Sequence, residues 1–232
     1  MKIETSQGPV VIEHDDSVKH IVLKLSGGAD SAILCYLLHK YIIEEAKQPI
    51  TIVPMTVIHG KKPTNLMYAR RVYWWMKKHF DNDLFHWEHY TAHSNGADYS
   101  DVSEQLEHSI RQQGLCDVYY SGITANPPRD VWTKFKGLGD GSTDVDISIP
   151  GGLPDTRDKT DTPKQTHHPH KVLPFLNIDK KGIAELYRMF DVEDTLFPIT
   201  RTCEDHFRDP EEVPHCGECV WCEERAWGFG KL

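Results

Sequence analysis

The stretch Ser26-Gly27-Gly28-Ala29-Asp30-Ser31 constrains this chain more than any other. It follows the apolar run Ile21-Val22-Leu23 and opens the segment Ala32-Ile33-Leu34-Cys35-Tyr36-Leu37-Leu38. That order reads as a buried strand, a glycine turn and a helix with apolar residues at helical spacing. Two glycines let the backbone turn sharply and approach a ligand closely. The first amides of the helix have no internal partner and lie at the positive end of the helix dipole. Ser26 and Ser31 add hydroxyl donors, which completes an anion cradle of the kind that holds phosphates. Asp30 then needs a reason to be there. A carboxylate beside phosphate oxygens is repulsive unless a divalent cation lies between them, and Mg2+ is the cation that takes a carboxylate together with phosphates. The plain alternative is a glycine turn that only joins strand to helix.

Strand and helix alternate beyond this loop. Strands are expected at 20–25, 50–58, 84–88 and 118–121, and helices at 30–47, 64–80, 102–114 and 179–190. Within 64–80, Leu66, Tyr73, Met76 and Phe80 fall near one face and Lys77 and Lys78 turn outward. Alternation of this type implies an α/β fold, a Rossmann-like parallel sheet with helices on both faces. Ligands of such sheets sit beyond the carboxyl ends of the strands. Leu25 and the 26–31 loop occupy one such end and Ser121-Gly122 another, so Leu25, the six loop residues and Gly122 form the expected nucleotide-binding set. Residues 137–170 break the pattern with Gly, Pro, Asp and Thr. They read as a long loop or lid, with Asp140, Asp144, Asp146, His167, His168 and His170 on a solvated stretch rather than in a metal site.

Cysteine placement is the second strong signal. Four of the six cysteines, Cys203, Cys216, Cys219 and Cys222, lie in the last thirty residues. Three of them recur at intervals of three, and Cys203 upstream closes a tetrahedron. Zn2+ favours four such ligands in a structural site. A disulfide pair or redox thiols are the alternatives. Cys35 and Cys116 read as small buried hydrophobes. These features divide the chain into a nucleotide-binding unit over 1–200 and a zinc-binding region over 201–232.

Composition narrows the setting. The chain has 232 residues, 39% of them hydrophobic, which is enough for a sizeable core in one domain with a small appendage. Its apolar runs fall short of the roughly 18 residues that a membrane span needs, and no basic-then-apolar leader is seen, so a cytoplasmic protein is expected. A net charge of -9 disfavours strong nucleic-acid binding.

The glycines are not followed by Gly-Lys-Ser/Thr, so the loop is not of the Walker type. Instead, the hexapeptide resembles the Ser-Gly-Gly-x-Asp-Ser loop of the PP-loop ATP pyrophosphatases, which cleave ATP between its α and β phosphates. In the same order follow Pro174-Phe175 leading to Lys180, then Thr200-Arg201-Thr202-Cys203, then Cys216-Gly217-Glu218-Cys219-Val220-Trp221-Cys222 with Arg225. Together these blocks resemble the 7-cyano-7-deazaguanine synthases of the queuosine pathway. The resemblance implies an ATP-dependent ligase that adenylates 7-carboxy-7-deazaguanine, forms an amide with ammonia, and dehydrates it to the nitrile after a second activation. It implies ATP, Mg2+ and Zn2+ as cofactors and a homodimer, with the Tyr73-Trp74-Trp75 cluster as one candidate contact and a core role as the other.

Among the matched residues Asp30, Ser31 and Lys180 would be catalytic; Lys180 is equally read as an exposed residue in a helix's first turn, with Asp179 capping that helix. Arg225 matches the arginine after the last cysteine, with a surface ion pair as its other reading. Three stretches depart from the family pattern: Ile58-His59-Gly60-Lys61-Lys62-Pro63 after the second strand, Asn126-Pro127-Pro128-Arg129-Asp130 after the fourth, and twelve residues between Cys203 and Cys216. The first two lie where a substrate base would be recognised. The same fold activating another carboxylate or base, or a silent nucleotide-binding zinc module, are the competing readings.

Overall fold

A computed structural model describes residues 1–58, 63–92, 99–132, 134, 171–203 and 215–232. The loop expected at 137–170, the substituted stretch at 59–62 and the interval 204–214 lie outside the described residues.

The chain opens with an antiparallel hairpin, β1 (Lys2–Thr5) and β2 (Gly8–Val11). The strand β3 (His20–Lys24), helix α1 (Ala29–Glu44), strand β4 (Thr51–Ile58), helix α2 (Asn65–Phe80) and strand β5 (His89–Ala92) follow. Next come α3 (Tyr99–Gln112), β6 (Val118–Ser121), the short α4 (Arg129–Trp132), β7 (Lys171–Val172), α5 (Lys180–Met189) and α6 (Val220–Phe229). Strands β3 to β7 form one parallel sheet in the order β5-β4-β3-β6-β7.

Successive residues of a strand face opposite sides of a sheet, and here both sides are covered. Ile21, Leu23 and Ile52 pack into the larger core with α1, α2 and α5, whereas Val22, Val53, Met55 and Tyr119 meet Ile110 of α3 on the other side. The expected α/β class, with a parallel sheet between two helical layers, is what the chain adopts. Helix α1 is apolar nearly all round because it is buried between α2 and α5; Ile33, Leu34, Leu37 and Leu38 are all fully buried.

The third expected strand needs correction. Residues 84–88 touch the sheet only through a parallel bridge of Phe85 to Ile52, and regular pairing starts at His89 opposite Met55. The cause is Pro54. The Ile52 amide donates to the Leu84 carbonyl and the His86 amide to the Ile52 carbonyl, but the next bond would need an N–H that proline lacks. The edge chain leaves the sheet at Trp87, which is 82% exposed, and rejoins two residues later. The buried face of α2 is likewise Tyr68, Ala69, Val72 and Met76, with Leu66, Tyr73 and Phe80 only half-buried.

Among the described residues no helix is long and apolar enough to cross a membrane.

Candidate active site and metal centre

Strand β3 lies at the centre of the sheet, and the chain leaves it toward β4 on one side and later returns as β6 on the other. That reversal opens a crevice beyond the carboxyl ends of β3 and β6. The 26–31 loop fills it. Leu25 is held in the sheet by its amide to the Met55 carbonyl (2.9 Å) and by the Thr56 hydroxyl donating to its carbonyl (2.7 Å). Gly27 has φ +79, and a Cβ there would lie 2.5 Å from the backbone of Tyr68 and Ala69 in α2. Only glycine meets both demands. The Ser31 hydroxyl points back into the loop, donating to the Gly28 carbonyl (3.1 Å) and lying 3.2 Å from the Ser26 hydroxyl. Gly28 caps α1 with no side-chain bond, so the first amides after it, from Ala29 onward, are open to an anion. Gly122 closes the crevice from the β6 side: a Cβ there would lie 3.0 Å from the Asp30 carbonyl.

Asp30 stands at the mouth of the loop, and Lys180 meets it. The Lys180 ammonium donates to both Asp30 carboxylate oxygens at 2.7 and 2.6 Å. Lys180 is 2% exposed, so its reading as an exposed first-turn residue is wrong, although it does open α5. A second carboxylate, Glu224 of α6, lies 3.6 Å from the same ammonium and is itself buried. Asp179 caps α5 by accepting from the Lys181 amide (2.8 Å). The hairpin braces this cap from outside: Gln7 donates to the Asp179 carboxylate (2.7 Å) and accepts from the Asp179 amide (2.9 Å). On the other side the Tyr187 hydroxyl donates to the Ala29 carbonyl (2.8 Å), and burial raises that hydroxyl's pKa so that it stays a donor.

Residues 200–203 run along the loop. The Arg201 amide donates to the Gly27 carbonyl (2.9 Å), and its guanidinium reaches the Thr64 hydroxyl (2.6 Å) beside the ring of Tyr68. Arg225 secures this segment from below. It donates to the Thr200 hydroxyl (2.9 Å) and the Phe197 carbonyl (3.0 Å), with its guanidinium 3.7 Å from the centre of the Phe197 ring. The expected surface pair is therefore replaced by a buried cation, whose pKa burial lowers to about 10. Sequence reasoning missed Gln7 and Glu224 altogether. A glutamine in a hairpin turn and a glutamate two residues after a cysteine carry no distinctive local signal.

The cysteine cluster is real. The sulfurs of Cys203, Cys216, Cys219 and Cys222 all lie within 4.8 Å of one another. All six cysteines are free thiols, which removes the disulfide reading. A mononuclear tetrahedral centre with metal–sulfur bonds of about 2.3 Å sets sulfurs about 3.8 Å apart, and Cys216 and Cys222 show that spacing at 3.8 Å. A multi-iron cluster, in which each thiolate binds a different iron, spreads its sulfurs farther. The Cys219 amide donates to Cys216 (3.3 Å) and the Cys216 amide to Cys203 (3.4 Å), which favours thiolates. Cys35 is fully buried and Cys116 half-buried, and burial raises both thiols, Cys116 to about 11. Cys35 is the buried residue expected, while Cys116 is less covered than expected.

No family model matches this chain, and no curated protein does. Among solved structures, the U34-tRNA thiolase NcsA from Methanococcus maripaludis with its [4Fe-4S] cluster aligns with 94% of this chain and 72% of its own, at 12% identity and a TM-score of 0.45. A likeness so distant carries no weight on chemistry.

Proposed function

We propose that this chain is a PP-loop ligase that activates a carboxylate with ATP, releasing AMP and pyrophosphate, and that its substrate is 7-carboxy-7-deazaguanine. The observation that carries this reading is the pairing of an open helix N-terminus at 28–31 with a carboxylate and a buried ammonium at its mouth. A bare phosphate cradle needs neither, which argues against a silent nucleotide-binding module.

In this reading the first amides of α1 and the Ser26 hydroxyl receive the β and γ phosphates. Ser31 keeps the loop in shape rather than touching the nucleotide. Asp30 would hold Mg2+, which when bound neutralises charge on the departing pyrophosphate. Lys180 would turn from Asp30 to phosphate oxygens as the nucleotide binds and stay on them as pyrophosphate leaves. A substrate carboxylate oxygen attacks the α phosphorus; ammonia then attacks the acyl carbon, expels AMP and leaves an amide. A second ATP activates the amide oxygen, and loss of AMP and protons gives the nitrile. Zn2+ fits the four thiolates by spacing and ligand softness and would serve as a structural ion. In the proposed homodimer, Trp74 (62% exposed) faces the second copy, since Tyr73 stacks on Phe85 and Trp75 on His79 within one chain.

One observation favours a second reading, the same activation chemistry on a different carboxylate. Asn126 stands within the substituted 126–130 stretch with neither atom of its carboxamide hydrogen-bonded. That pair of groups suits an acceptor other than the family's.

Incubation with ATP, Mg2+, ammonium and 7-carboxy-7-deazaguanine, followed by mass spectrometry and AMP assay, separates the readings. A nitrile with about two AMP per base, one for each activation, supports the full reaction. An amide with a single AMP indicates the one-step relative, and no AMP with this base turns the search to other carboxylates.

A further inference from the structure

We infer that Glu224 is a positioning residue for the cation site: it shares the Lys180 ammonium with Asp30 and so keeps Asp30 available to a divalent cation. This rests on the reading of Asp30 as the Mg2+-holding carboxylate given above.

Three observations converge on it. First, the ammonium is shared. Lys180 faces two carboxylates, at 2.6–2.7 Å to Asp30 and 3.6 Å to Glu224. Without Glu224 the Lys180 ammonium would face Asp30 alone, and an incoming cation would have to break that pair unaided. Second, the two carboxylates differ in access. The Asp30 side chain is 21% exposed at the loop mouth, whereas that of Glu224 is 1% exposed behind Lys180. Glu224 is placed to hold the lysine and not the ligand. Third, α6 is shaped around Lys180. Gly228 lies one turn beyond Glu224 on the same helix face, and a Cβ there would lie 2.4 Å from the Lys180 Cγ. Glu224 and Gly228 together form a socket that takes the lysine stem along α6 and its charge at one end.

The socket ties the cation site to the metal centre. Glu224 follows Cys222 by two residues, and Cys219 caps α6, so the cysteine cluster fixes where this helix begins and which way Glu224 points. When Mg2+·ATP enters, Lys180 turns from Asp30 toward phosphate while Glu224 keeps its buried ammonium partly compensated. A buried charge left without a partner is strongly unfavourable, and Glu224 removes that penalty at the moment Asp30 changes partner.

The test uses the full zinc-loaded chain, Mn2+ as the probe cation and α,β-methylene-ATP, which cannot be cleaved at the relevant bond. Mn2+ half-saturation is read by electron paramagnetic resonance. Glu224→Gln is expected to raise half-saturation about tenfold, with zinc content and melting temperature near wild type. In Glu224→Gln/Lys180→Met, measured with Mn2+ and no nucleotide so that the lost phosphate contact of Lys180 does not enter, half-saturation returns to that of wild type under the same conditions or below. An unchanged half-saturation in Glu224→Gln overturns the inference, and so does a rise that removing Lys180 fails to relieve. If Glu224→Gln does not fold, Glu224→Asp, which keeps the charge but draws it back, is expected to raise half-saturation about threefold, and no rise overturns the inference. A wild-type chain that does not bind Mn2+ with α,β-methylene-ATP sinks the ATP reading itself; normal wild-type binding with indifferent variants sinks only the role of Glu224.

Discussion

The proposed phosphate cradle hangs from the middle of the sheet, whereas among the described residues the cysteine corner has no strand beneath it. Around the cradle, Leu25 is bonded to β4, Gly27 is wedged against α2, and the Ser26 and Ser31 hydroxyls close the loop on itself. Its shape is complete before any ligand arrives. In the corner the amides of Cys216, Glu218 and Cys219 donate to sulfur at 3.3–3.5 Å and the Cys216 and Cys222 sulfurs lie 3.8 Å apart, and sulfur is a weak acceptor. The side-chain bonds from Cys203 and Cys219, together with burial, hold the Cys222 thiol well above its ordinary pKa, so the thiols resist ionising together without a cation. One site is shaped by backbone contacts; the other gathers four thiols that could hold a metal. The two are nevertheless joined, because α6 starts in the corner and carries Glu224 and Arg225 to the cradle.

Stripping the metal with a strong chelator is the harshest way to break this comparison. Structural zinc sites are worth on the order of 10 kcal/mol of folding free energy. We expect hydrogen exchange to rise through α6 while β3, β4 and β6 stay protected, and nucleotide binding to fall with it. Uniform loss of protection across the sheet would mean that the cradle is no more independent than the corner.

Asp30→Ala strikes the cradle alone. Lys180 keeps Glu224 as its partner, so the variant should melt near wild type while AMP formation drops by about a thousandfold or more. Retained turnover would remove Asp30 from the chemistry.

Gly27→Ala tests whether the cradle's shape comes from close packing. With φ +79 and a 2.5 Å approach to α2, the variant should lose about 3 kcal/mol in urea unfolding. A loss near zero would show that the loop can move away from α2.

The smallest effect is a pH dependence seated under the cradle. His39 in α1 is fully buried, its Nδ1 donates to the Cys35 carbonyl (2.8 Å), and burial lowers its pKa to about 4. A pKa lowered in the folded state means that the neutral ring is the stabilised form. Its contribution is complete above about pH 6.5 and is lost as pH falls toward 4, up to about 3 kcal/mol in all. Acid also protonates metal-binding thiolates. His39→Gln separates the two sources: the urea midpoint should fall less between pH 7.5 and 4.5 in the variant than in wild type.

How much of this was legible in the sequence follows from where each part comes from. The loop is six contiguous residues between a strand and a helix, and three of the four clustered thiols recur at intervals of three, so local chemistry pointed to both as candidates. The parallel sheet followed from alternation. The covering residues come from far apart in the chain, and no local pattern links Gln7 to Asp179, or Glu224 to Lys180 and Asp30. The hairpin did leave a signal, Ile3 between Lys2 and Glu4 with Gly8 just beyond, but two four-residue strands are too short to stand out. Helix α6 reads as polar through Glu223, Glu224 and Arg225, and two of these are buried only because distant groups pair with them. The α2 face was misplaced by choosing Leu66, Tyr73 and Phe80 over Tyr68, Ala69 and Val72, because the close approach of Gly27 to the backbone of Tyr68 and Ala69 has no local sign. Pro54 was visible in the sequence, but its effect falls on the neighbouring strand and needed the pairing to be seen.

The central claim is that the cradle holds pyrophosphate while a carboxylate becomes an acyl adenylate. The most direct test is carboxylate-dependent exchange of labelled pyrophosphate into ATP, which proceeds only if adenylate formation is reversible on the enzyme. With 7-carboxy-7-deazaguanine and Mg2+, and ammonium left out, label should enter ATP in wild type and not in Asp30→Ala. ATP turned over to ADP and phosphate, or bound tightly with no exchange in the presence of the carboxylate, would contradict the account.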